Sequence, residues 1–544
     1  MKISHQAKNG QAATATYILA HDLGTTGNKT CLYRIGDRLE IVNSCLEEYP
    51  LFMTAEGGAE QRADDWWAAI CRATRRTLAA TGIPPEDIKG IAFCCQMQGS
   101  IFVDREGRAL RNPMIYMDAR ATKQIEEGLY HGLIRIQKFN AFKGLLSLWI
   151  TGGMAATAKD PLWKYHWVRE NEPEVFARAE QWLDVKDYLT LRCTGNAAMT
   201  QDSANVTFIY DTRPGKLGWS KRLCSMFQVE SRHLPRVITA TEKVGGLTQA
   251  AAGEMGLKPD TPVFGGGGDV TCVAIGAGST RENNIHIYVG TSGWVVANVG
   301  KRMVDINNFI ASILGAIPGR YNYVAEQETS GLCLQWVRDH LALDEIGIYL
   351  KEHGTEKTWL PAALYDLLNQ TVEQTPPGAG GVIFTPWLHG NRAPREDPYA
   401  RAMFFNLSLK TGKRMMIRAV LEGVAYHKRW MLEAVEKRVP RQERIRFVGG
   451  GAKSEVWCQI MADVTGRVIE TIENPQDAGT VGAAVICGIG LGAIPSFQAA
   501  GSFIPVKKTF QPRPEYRPTY DAGFAVFTKL YEQNKALFRT LNRA

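Results

Sequence analysis

The chain has 544 residues, of which 45% are hydrophobic and 22% charged, and this predicts a soluble globular protein with two domains of roughly 250 residues each. Its formal net charge of +8 comes from scattered basic residues without a basic run, so nucleic acid is not an indicated partner. The 11 cysteines show no metal-ligand spacing, and no segment approaches the ~18 apolar residues of a membrane helix. We therefore expect reduced thiols, a cytoplasmic location and no membrane contact.

Residues 17–33 contain two short apolar runs separated by a Gly/Thr turn, a pattern that predicts a β-hairpin. Glycine allows close approach of the turn's backbone N–H groups to an anion, hydroxyls add donors, and a lysine adds charge. The residues expected to hold phosphate are Gly24, Thr25, Thr26 and Lys29. Asp22, just before the turn, fits a divalent cation between its carboxylate and the phosphate. A simple hairpin turn without a ligand is the alternative.

A second copy of the pattern occupies residues 286–297, where Gly290 and Thr291 begin a Gly-Thr-Ser-Gly turn. Two such hairpins in two halves of the chain suggest a duplicated domain that closes over one nucleotide from both sides. On these residues the sequence resembles the actin-like ATPase superfamily and, within it, the FGGY carbohydrate kinases. The resemblance implies ATP and Mg²⁺ as cofactors.

Residues 262–278 predict a strand, a glycine turn, one acid at Asp269, and an apolar helix. A carboxylate at the start of a helix is kept ionised by the helix dipole, which suits a base that accepts a proton from a hydroxyl. A simple N-cap is the alternative. The segment resembles the family's Gly-Gly-x-Asp motif, which implies that Asp269 contacts the substrate and deprotonates the alcohol that attacks the γ-phosphate. It also implies a magnesium ion bound by Asp22 and, through water, by Asp269.

Residues 91–104 predict a strand, a polar turn and a second strand. The turn resembles the Gln-Met-His-Gly turn of xylulose kinases in this family, with Met97 retained and Gln98 in place of the histidine. The resemblance implies contact with sugar hydroxyls, which an amide can make as donor and acceptor. Asp118 and Arg120 are similar to the acid and base of the family's Trp-x-Asp-x-Arg stretch near the sugar pocket; a surface ion pair is the alternative.

The remaining nucleotide segments lie in the second half of the chain. Gly331 and Gln335 fall four residues apart at the start of a predicted helix and resemble a nucleotide-binding segment of the family. A further glycine turn stands between a predicted strand and a predicted helix, and glycines there allow a flat base to lie against the backbone. The resemblance implies that this turn, Gly450, Gly451 and Ala452, holds adenosine. A close contact between helix and strand is the alternative.

The resemblance covers roughly residues 17 to 540 and implies an α/β, actin-like (ribonuclease H-like) fold of two duplicated ATPase domains with a cleft between them. We expect a flexible extension at 1–16, a sugar- and phosphate-side domain at 17–267 and a nucleotide-side domain at 268–544, with a hinge near the boundary. The loop at 389–394 is expected to be architectural. The expected function is ATP-dependent phosphorylation of a sugar or polyol hydroxyl.

A pentulose such as xylulose is the first choice of substrate. Other ketoses, glycerol-like polyols and erythritol stay open, because a few hydrogen bonds decide between them. The alternative function is an actin- or chaperone-like ATPase that acts on a protein partner. We expect no nucleic acid and no membrane partner, and a homodimer is an open possibility.

Overall fold

The computed structural model describes residues 16–54, 56–136, 138–342 and 361–543. The predicted N-terminal extension lies outside the described residues, except for Thr16, which is the first residue of the first strand. In these ranges no helix is both long enough and apolar enough to cross a membrane.

The first half of the chain is built on a seven-stranded mixed sheet. Its strands are β1 Thr16–Leu23, β2 Gly27–Ile35, β3 Leu39–Glu48, β4 Ile88–Cys95, β5 Lys243–Gly246, β6 Pro262–Phe264 and β7 Gly267–Gly268. The order across the sheet is β5-β6-β4-β1-β2-β3, and β7 pairs with the end of β4. β1 is antiparallel to β2 and parallel to β4, so the predicted first hairpin is confirmed and lies at the centre of this sheet.

The second half carries an eight-stranded sheet with the same central arrangement. Its strands are β8 Ile285–Val289, β9 Gly293–Val299, β10 Val304–Asp305, β11 Ile310–Leu314, β12 Tyr321–Gln327, β13 Arg444–Val448, β14 Val468–Ile472 and β15 Val506–Phe510. The order is β10-β11-β12-β9-β8-β13-β14-β15. β8 is antiparallel to β9 and parallel to β13, as β1 is to β2 and β4. The second hairpin therefore occupies the place of the first, which agrees with a duplicated domain.

Helices cover the faces of both sheets, which lets the central strands be apolar on both sides. The longer helices are α1 Ala63–Thr81, α2 Ala141–Thr151, α3 Pro161–Asn171, α4 Val185–Thr194, α5 Gln249–Met255, α6 Asp269–Gly276, α7 Gly331–Val337, α8 Pro361–Glu373, α9 Lys413–Val435, α10 Glu455–Thr465, α11 Ala478–Gly490, α12 Phe497–Phe503 and α13 Arg517–Asn542. Short ladders join Ile101–Val103 to Gln181–Leu183, Ala198–Thr200 to Arg236–Ile238, and Ile383–Thr385 to Met403–Phe405.

The two halves meet through α6 and α11, which pack against each other between the sheets. A Cβ on Gly276 would stand closer to the carbonyl oxygen of Ala478 than the 3.0 Å that real Cβ atoms keep, and a Cβ on Gly482 would do the same to Cys272. The helix backbones are therefore in direct contact, which only glycine permits. One buried apolar cluster extends from both sheets across these helices. The start of α6, Asp269, lies at this joint.

Candidate active site

The first hairpin turn is held by hydrogen bonds to its backbone. The N–H of Gly24 donates to the carbonyl of Gly27 at 3.0 Å, the hydroxyl of Tyr49 donates to the same carbonyl at 3.1 Å, and Gln61 Nε2 donates to the carbonyl of Thr25 at 2.6 Å. Thr26 is exposed. The turn is thus fixed from behind while its side chains remain accessible, as a phosphate-binding turn requires. The fixing residues, Tyr49 and Gln61, were not predicted, because nothing local in the sequence connects them to the turn.

Lys29 lies in an ion pair that joins the two halves. Its ammonium is 2.8 Å from Asp477 Oδ1 and 3.1 Å from the carbonyl oxygen of Gln476, just before α11. Burial alone would lower the pKa of Lys29, but the carboxylates of Asp477 and Asp22 outweigh it and the pKa is raised. The contact of Lys29 with phosphate stays a prediction, since the structure places its ammonium on Asp477.

Asp22 is the last residue but one of β1, and its carboxylate lies against α11. A Cβ on Gly479 would stand 2.7 Å from Asp22 Oδ2, so the absence of a side chain there lets α11 approach the carboxylate. Burial raises the pKa of Asp22, and the positive charge of Lys29 opposes the shift. The described residues include no group of three or more His, Cys, Asp or Glu side chains that could hold a metal ion. Magnesium in kinases is held by one or two carboxylates together with phosphate oxygens and water, so Asp22 fits this donor set.

Asp269 is the first residue of α6, and Gly268 occupies the N-cap position before it. The alternative prediction, that Asp269 is simply an N-cap, is therefore wrong; its Oδ1 instead accepts a hydrogen bond of 2.8 Å from the N–H of Val270. The pKa of Asp269 is raised to about 7, chiefly by burial and in smaller part by the charges of Asp22 and Glu326, while the hydrogen bond from Val270 opposes the shift. The carboxylates of both halves are thus close enough to interact across the joint.

The predicted sugar turn lies beside the start of α6. A Cβ on Gly268 would overlap the side chain of Met97, which places Met97 directly against the residue that precedes the proposed base. Gln98 has a positive φ of 62°, a strained conformation for a non-glycine residue. Its Nε2 donates to Asp160 Oδ1 at 3.2 Å, and its carbonyl accepts from Lys164 Nζ at 2.9 Å. Met97 and Gln98 are therefore brought to the same end of the cleft as Asp269.

Asp118 and Arg120 form an ion pair of 2.7 Å with side chains 0% and 10% exposed. Arg120 also binds Glu60 at 2.5 Å and lies over the ring of Trp167, with 4.4 Å between guanidinium carbon and ring centroid. The alternative prediction of an ion pair is right in its chemistry but wrong in its location, since the pair is buried. Contact of these residues with a sugar stays a prediction.

A charged group to which the sequence analysis gave no role lies near Asp160, the acid that binds the Gln98 amide. Arg392, in the loop expected to be architectural, lies 2.6 Å from Glu326 Oε2 and 3.8 Å from Glu328 Oε1. Burial raises the pKa of Asp160 to about 6, while hydrogen bonds from Thr157 and the charge of Arg392 oppose this shift. The charge of this arginine, from the second half of the chain, therefore acts on the acid that holds Gln98. The expectation of an architectural loop stays a prediction.

The second hairpin turn is bound to the start of α7. The N–H of Gly331 donates to the carbonyl of Gly290 at 2.7 Å, and that of Ser330 donates to the carbonyl of Thr291 at 3.0 Å. A Cβ on Gly331 would stand 2.5 Å from the carbonyl oxygen of Gly290. Gln335 follows one helical turn later and is half-buried. Backbone hydrogen bonds thus hold the turn at Gly290 and Thr291 against the start of α7. A side chain at Gly331 would push the turn and the helix apart.

The glycine turn that follows β13 also lies against the end of β8. A Cβ on Gly449 would stand 2.5 Å from the carbonyl oxygen of Val289, and one on Gly451 would stand 2.6 Å from Val289 Cγ1. Ala452 is buried, whereas a Cβ on Gly450 would have no neighbour within 4 Å. Close strand contact therefore explains Gly449 and Gly451, while Gly450 faces open space that a flat ring could occupy. The predicted nucleotide segments converge at the end of β8.

Family models match both halves of the chain. The N-terminal domain of the FGGY family of carbohydrate kinases matches residues 17–276, and the C-terminal domain matches residues 285–491. A xylulose kinase of Bacillus subtilis is 26% identical over 526 residues, covering 96% of this chain and 98% of the relative. A gluconokinase of the same organism is 25% identical over 517 residues, covering 95% of each protein.

Solved structures agree in fold. A ligand-bound xylulose kinase of Lactobacillus acidophilus matches with a TM-score of 0.82 and 24% identity, covering 96% of this chain and 99% of that protein. The two sheets with equivalent hairpins are the duplicated α/β, actin-like fold of these kinases. The fold and both domain matches lead to one assignment: the chain belongs to the FGGY family of carbohydrate kinases.

Proposed function

We propose that this kinase transfers the γ-phosphoryl group of ATP to a hydroxyl of an uncharged sugar or polyol, with a pentulose such as xylulose as first choice, and that Asp269 is the base. The observation that carries the proposal is Asp269 itself: an acid at the start of a helix, at the joint of the two halves, beside the predicted sugar turn. The similarity to xylulose kinases supports the choice of a pentulose.

The chemistry asked of Asp269 is to accept a proton from the attacking hydroxyl. A general base works best when its pKa lies near the working pH, and burial brings the pKa of Asp269 to about 7. The hydrogen bond from the N–H of Val270 fixes the carboxylate, so the base does not have to be oriented during the reaction. Phosphoryl transfer needs little covalent help from the protein, so positioning and charge neutralisation supply most of the rate.

The nucleotide is proposed to lie along the turns of both halves. Gly24, Thr25 and Thr26, with Gly290 and Thr291, would bind phosphate oxygens through N–H and hydroxyl groups. The adenosine end is assigned to the unit that converges at β8, which comprises Gly331, Gln335, Gly450, Gly451 and Ala452. Mg²⁺, held by Asp22 and through water by Asp269, would neutralise charge on the phosphates.

The preference for an uncharged acceptor rests on the charges around Gln98. An aldonate such as gluconate needs a cation that is free to bind its carboxylate. Arg392 is engaged by Glu326 at 2.6 Å, and Lys164 donates to the carbonyls of Gln98 and Ile115. The neighbouring acids repel an anion, whereas the Gln98 amide can bind hydroxyls. This favours a pentulose or polyol over the substrate named by the gluconokinase relative.

Membership of a carbohydrate-kinase family favours this function over the alternative of an ATPase that acts on a protein partner. A cytoplasmic location and a homodimer stay predictions.

The test is ADP release with ATP and Mg²⁺ across pentuloses, pentitols, hexuloses, glycerol, erythritol and gluconate. We expect one pentulose to give the highest kcat/KM, gluconate to give at least tenfold less, and Asp269→Asn to lose two to four orders of magnitude in kcat. Asp260→Asn is the matched control, because it removes an exposed acid nine residues away that the site does not use. A higher kcat/KM for gluconate would refute the charge argument, and full activity of Asp269→Asn would refute the base.

A further inference from the structure

Lys428 is a fully buried lysine without a partner beneath the second hairpin. It lies on α9, which packs against β9 and α7. Its Nζ makes no hydrogen bond, and neither does the hydroxyl oxygen of Ser330, which is also fully buried. An unpaired ammonium in an apolar interior is among the most unfavourable groups a core can hold, and an apolar side chain of the same length would be more stable at this position.

Lys428 Nζ and the Ser330 hydroxyl, the two groups without a hydrogen bond, both lie against one residue of the turn. A Cβ on Gly293, the last residue of the Gly-Thr-Ser-Gly turn, would stand less than 3.0 Å from Lys428 Nζ, and 2.8 Å from Ser330 Oγ. The lysine therefore lies against Gly293, the residue that closes the turn begun by Gly290 and Thr291. Charges act strongly across so short a distance when water is excluded.

No other charge in the described part of the chain satisfies Lys428. The titratable groups that interact with it among the described residues are Cys333, on α7, and His427, its neighbour on α9, and neither is a carboxylate. Burial holds the pKa of Lys428 well below its usual range. Lys29, by contrast, already has Asp477 as its partner. Of these two lysines, the one beneath the second hairpin is still available to an anion.

We propose that Lys428 and Ser330 form a phosphate-sensing pair behind the second hairpin, which stabilises the phosphates of a nucleotide bound at Gly290 and Thr291. This inference rests on the nucleotide site of the proposed function. When the phosphates arrive, the Lys428 amine takes up a proton from solvent and becomes an ammonium. Nucleotide affinity then falls as pH rises, because protonating the amine becomes more costly.

The experiment is calorimetric titration of ADP into the full-length protein, in two buffers with different heats of ionisation so that proton uptake is measured directly. We expect Lys428→Met to bind ADP at least about tenfold more weakly, to lose the proton uptake, and to unfold at the same or a higher temperature without nucleotide. Ser330→Ala, which removes only a hydroxyl, should weaken ADP binding several-fold and serves if Lys428→Met does not fold. Lys143→Met is the matched control, because it removes a partly buried lysine on α2, in the first half of the chain, that donates to the carbonyl of Gly128.

If Lys428→Met binds ADP with the affinity and the proton uptake of the wild type, the proposed pair of Lys428 and Ser330 is overturned. The proposed kinase function is not affected by that result. Absence of ADP binding to the wild-type protein would overturn the nucleotide site and the pair together. A variant that changes only the unfolding temperature would show Lys428 to be structural and would also overturn the proposal.

Discussion

Replacing Asp269 by asparagine should remove the activity and stabilise the protein, and the gain should depend on pH. Asparagine keeps an oxygen for the hydrogen bond from the Val270 N–H, so the start of α6 is preserved. It removes a carboxyl group whose ionisation is opposed by burial and by the acids around it. The base would therefore be retained at the expense of folding stability, as is common at active sites.

The size of this gain in folding stability follows from the pKa of Asp269. The folded-state pKa of Asp269 is about 7, compared with an ordinary value of 3.8. A carboxyl group whose pKa is raised by folding gives its full stability below the unfolded value, and this stability is lost as pH rises from 3.8 towards 7. From pH 5 to pH 7 the wild-type protein loses at most about 3 kcal/mol of unfolding free energy, at 1.36 kcal/mol per pKa unit. Asp269 remains partly exposed to the cleft, so we expect about 1 to 2 kcal/mol.

Thermal unfolding of both proteins at pH 5 and pH 8 measures this difference. The Tm of Asp269→Asn should exceed that of the wild type by about 1 to 2 °C more at pH 8 than at pH 5, because an unfolding entropy of roughly 2.1 cal/mol/K per residue makes 1 kcal/mol worth about 1 °C in a chain of 544 residues. Asp260→Asn should show no such dependence. Equal Tm differences at both pH values would refute the raised pKa, and with it the physical basis for Asp269 as a base near neutral pH.

Three further changes test other parts of the site. Gly450→Ala meets no atom within 4 Å, so it should leave Tm unchanged while weakening ADP binding about tenfold, as measured by calorimetry; unchanged affinity would place the adenosine elsewhere. Lys29→Met leaves the buried Asp477 unpaired and should lower the unfolding free energy by about 1 to 3 kcal/mol, with partial recovery when Asp477→Asn is added; no loss in denaturant titration would mean the ion pair contributes nothing. Gln98→Leu should raise the KM for the sugar at least tenfold and leave the KM for ATP unchanged, whereas equal effects on both would remove Gln98 from the sugar site.

The sequence predicted the features that depend on neighbouring residues. Both hairpins and the helix that begins at Asp269 follow from short apolar runs interrupted by glycine turns, and the structure has all of them. The duplication was visible in the sequence because the second turn repeats the residue types of the first. The prediction of the actin-like fold, which used this repeat, is confirmed.

The features that the sequence did not predict depend on residues far apart in the chain. Lys29 and Asp477 are separated by 448 positions, and no local pattern connects a lysine after one turn with an acid before a distant helix. The charge of Arg392 likewise acts on Asp160, a residue of the other half, without any local pattern that connects them. Lys428 stands between His427 and Arg429, and lysine is rarely fully buried, so nothing local in the sequence indicated its complete burial.

The contact between α6 and α11 also determines how the cleft can change its width. At Gly276 and Gly482 the two helices touch backbone to backbone with no side chain between them, so a small rotation about these points needs little repacking there. We therefore expect the two halves to turn about Gly276 and Gly482 as about a pivot. Because Asp269 is on one of these helices and Gly479, next to Asp22, is on the other, each change in the angle between the halves alters the distance between the two carboxylates that the proposed chemistry uses.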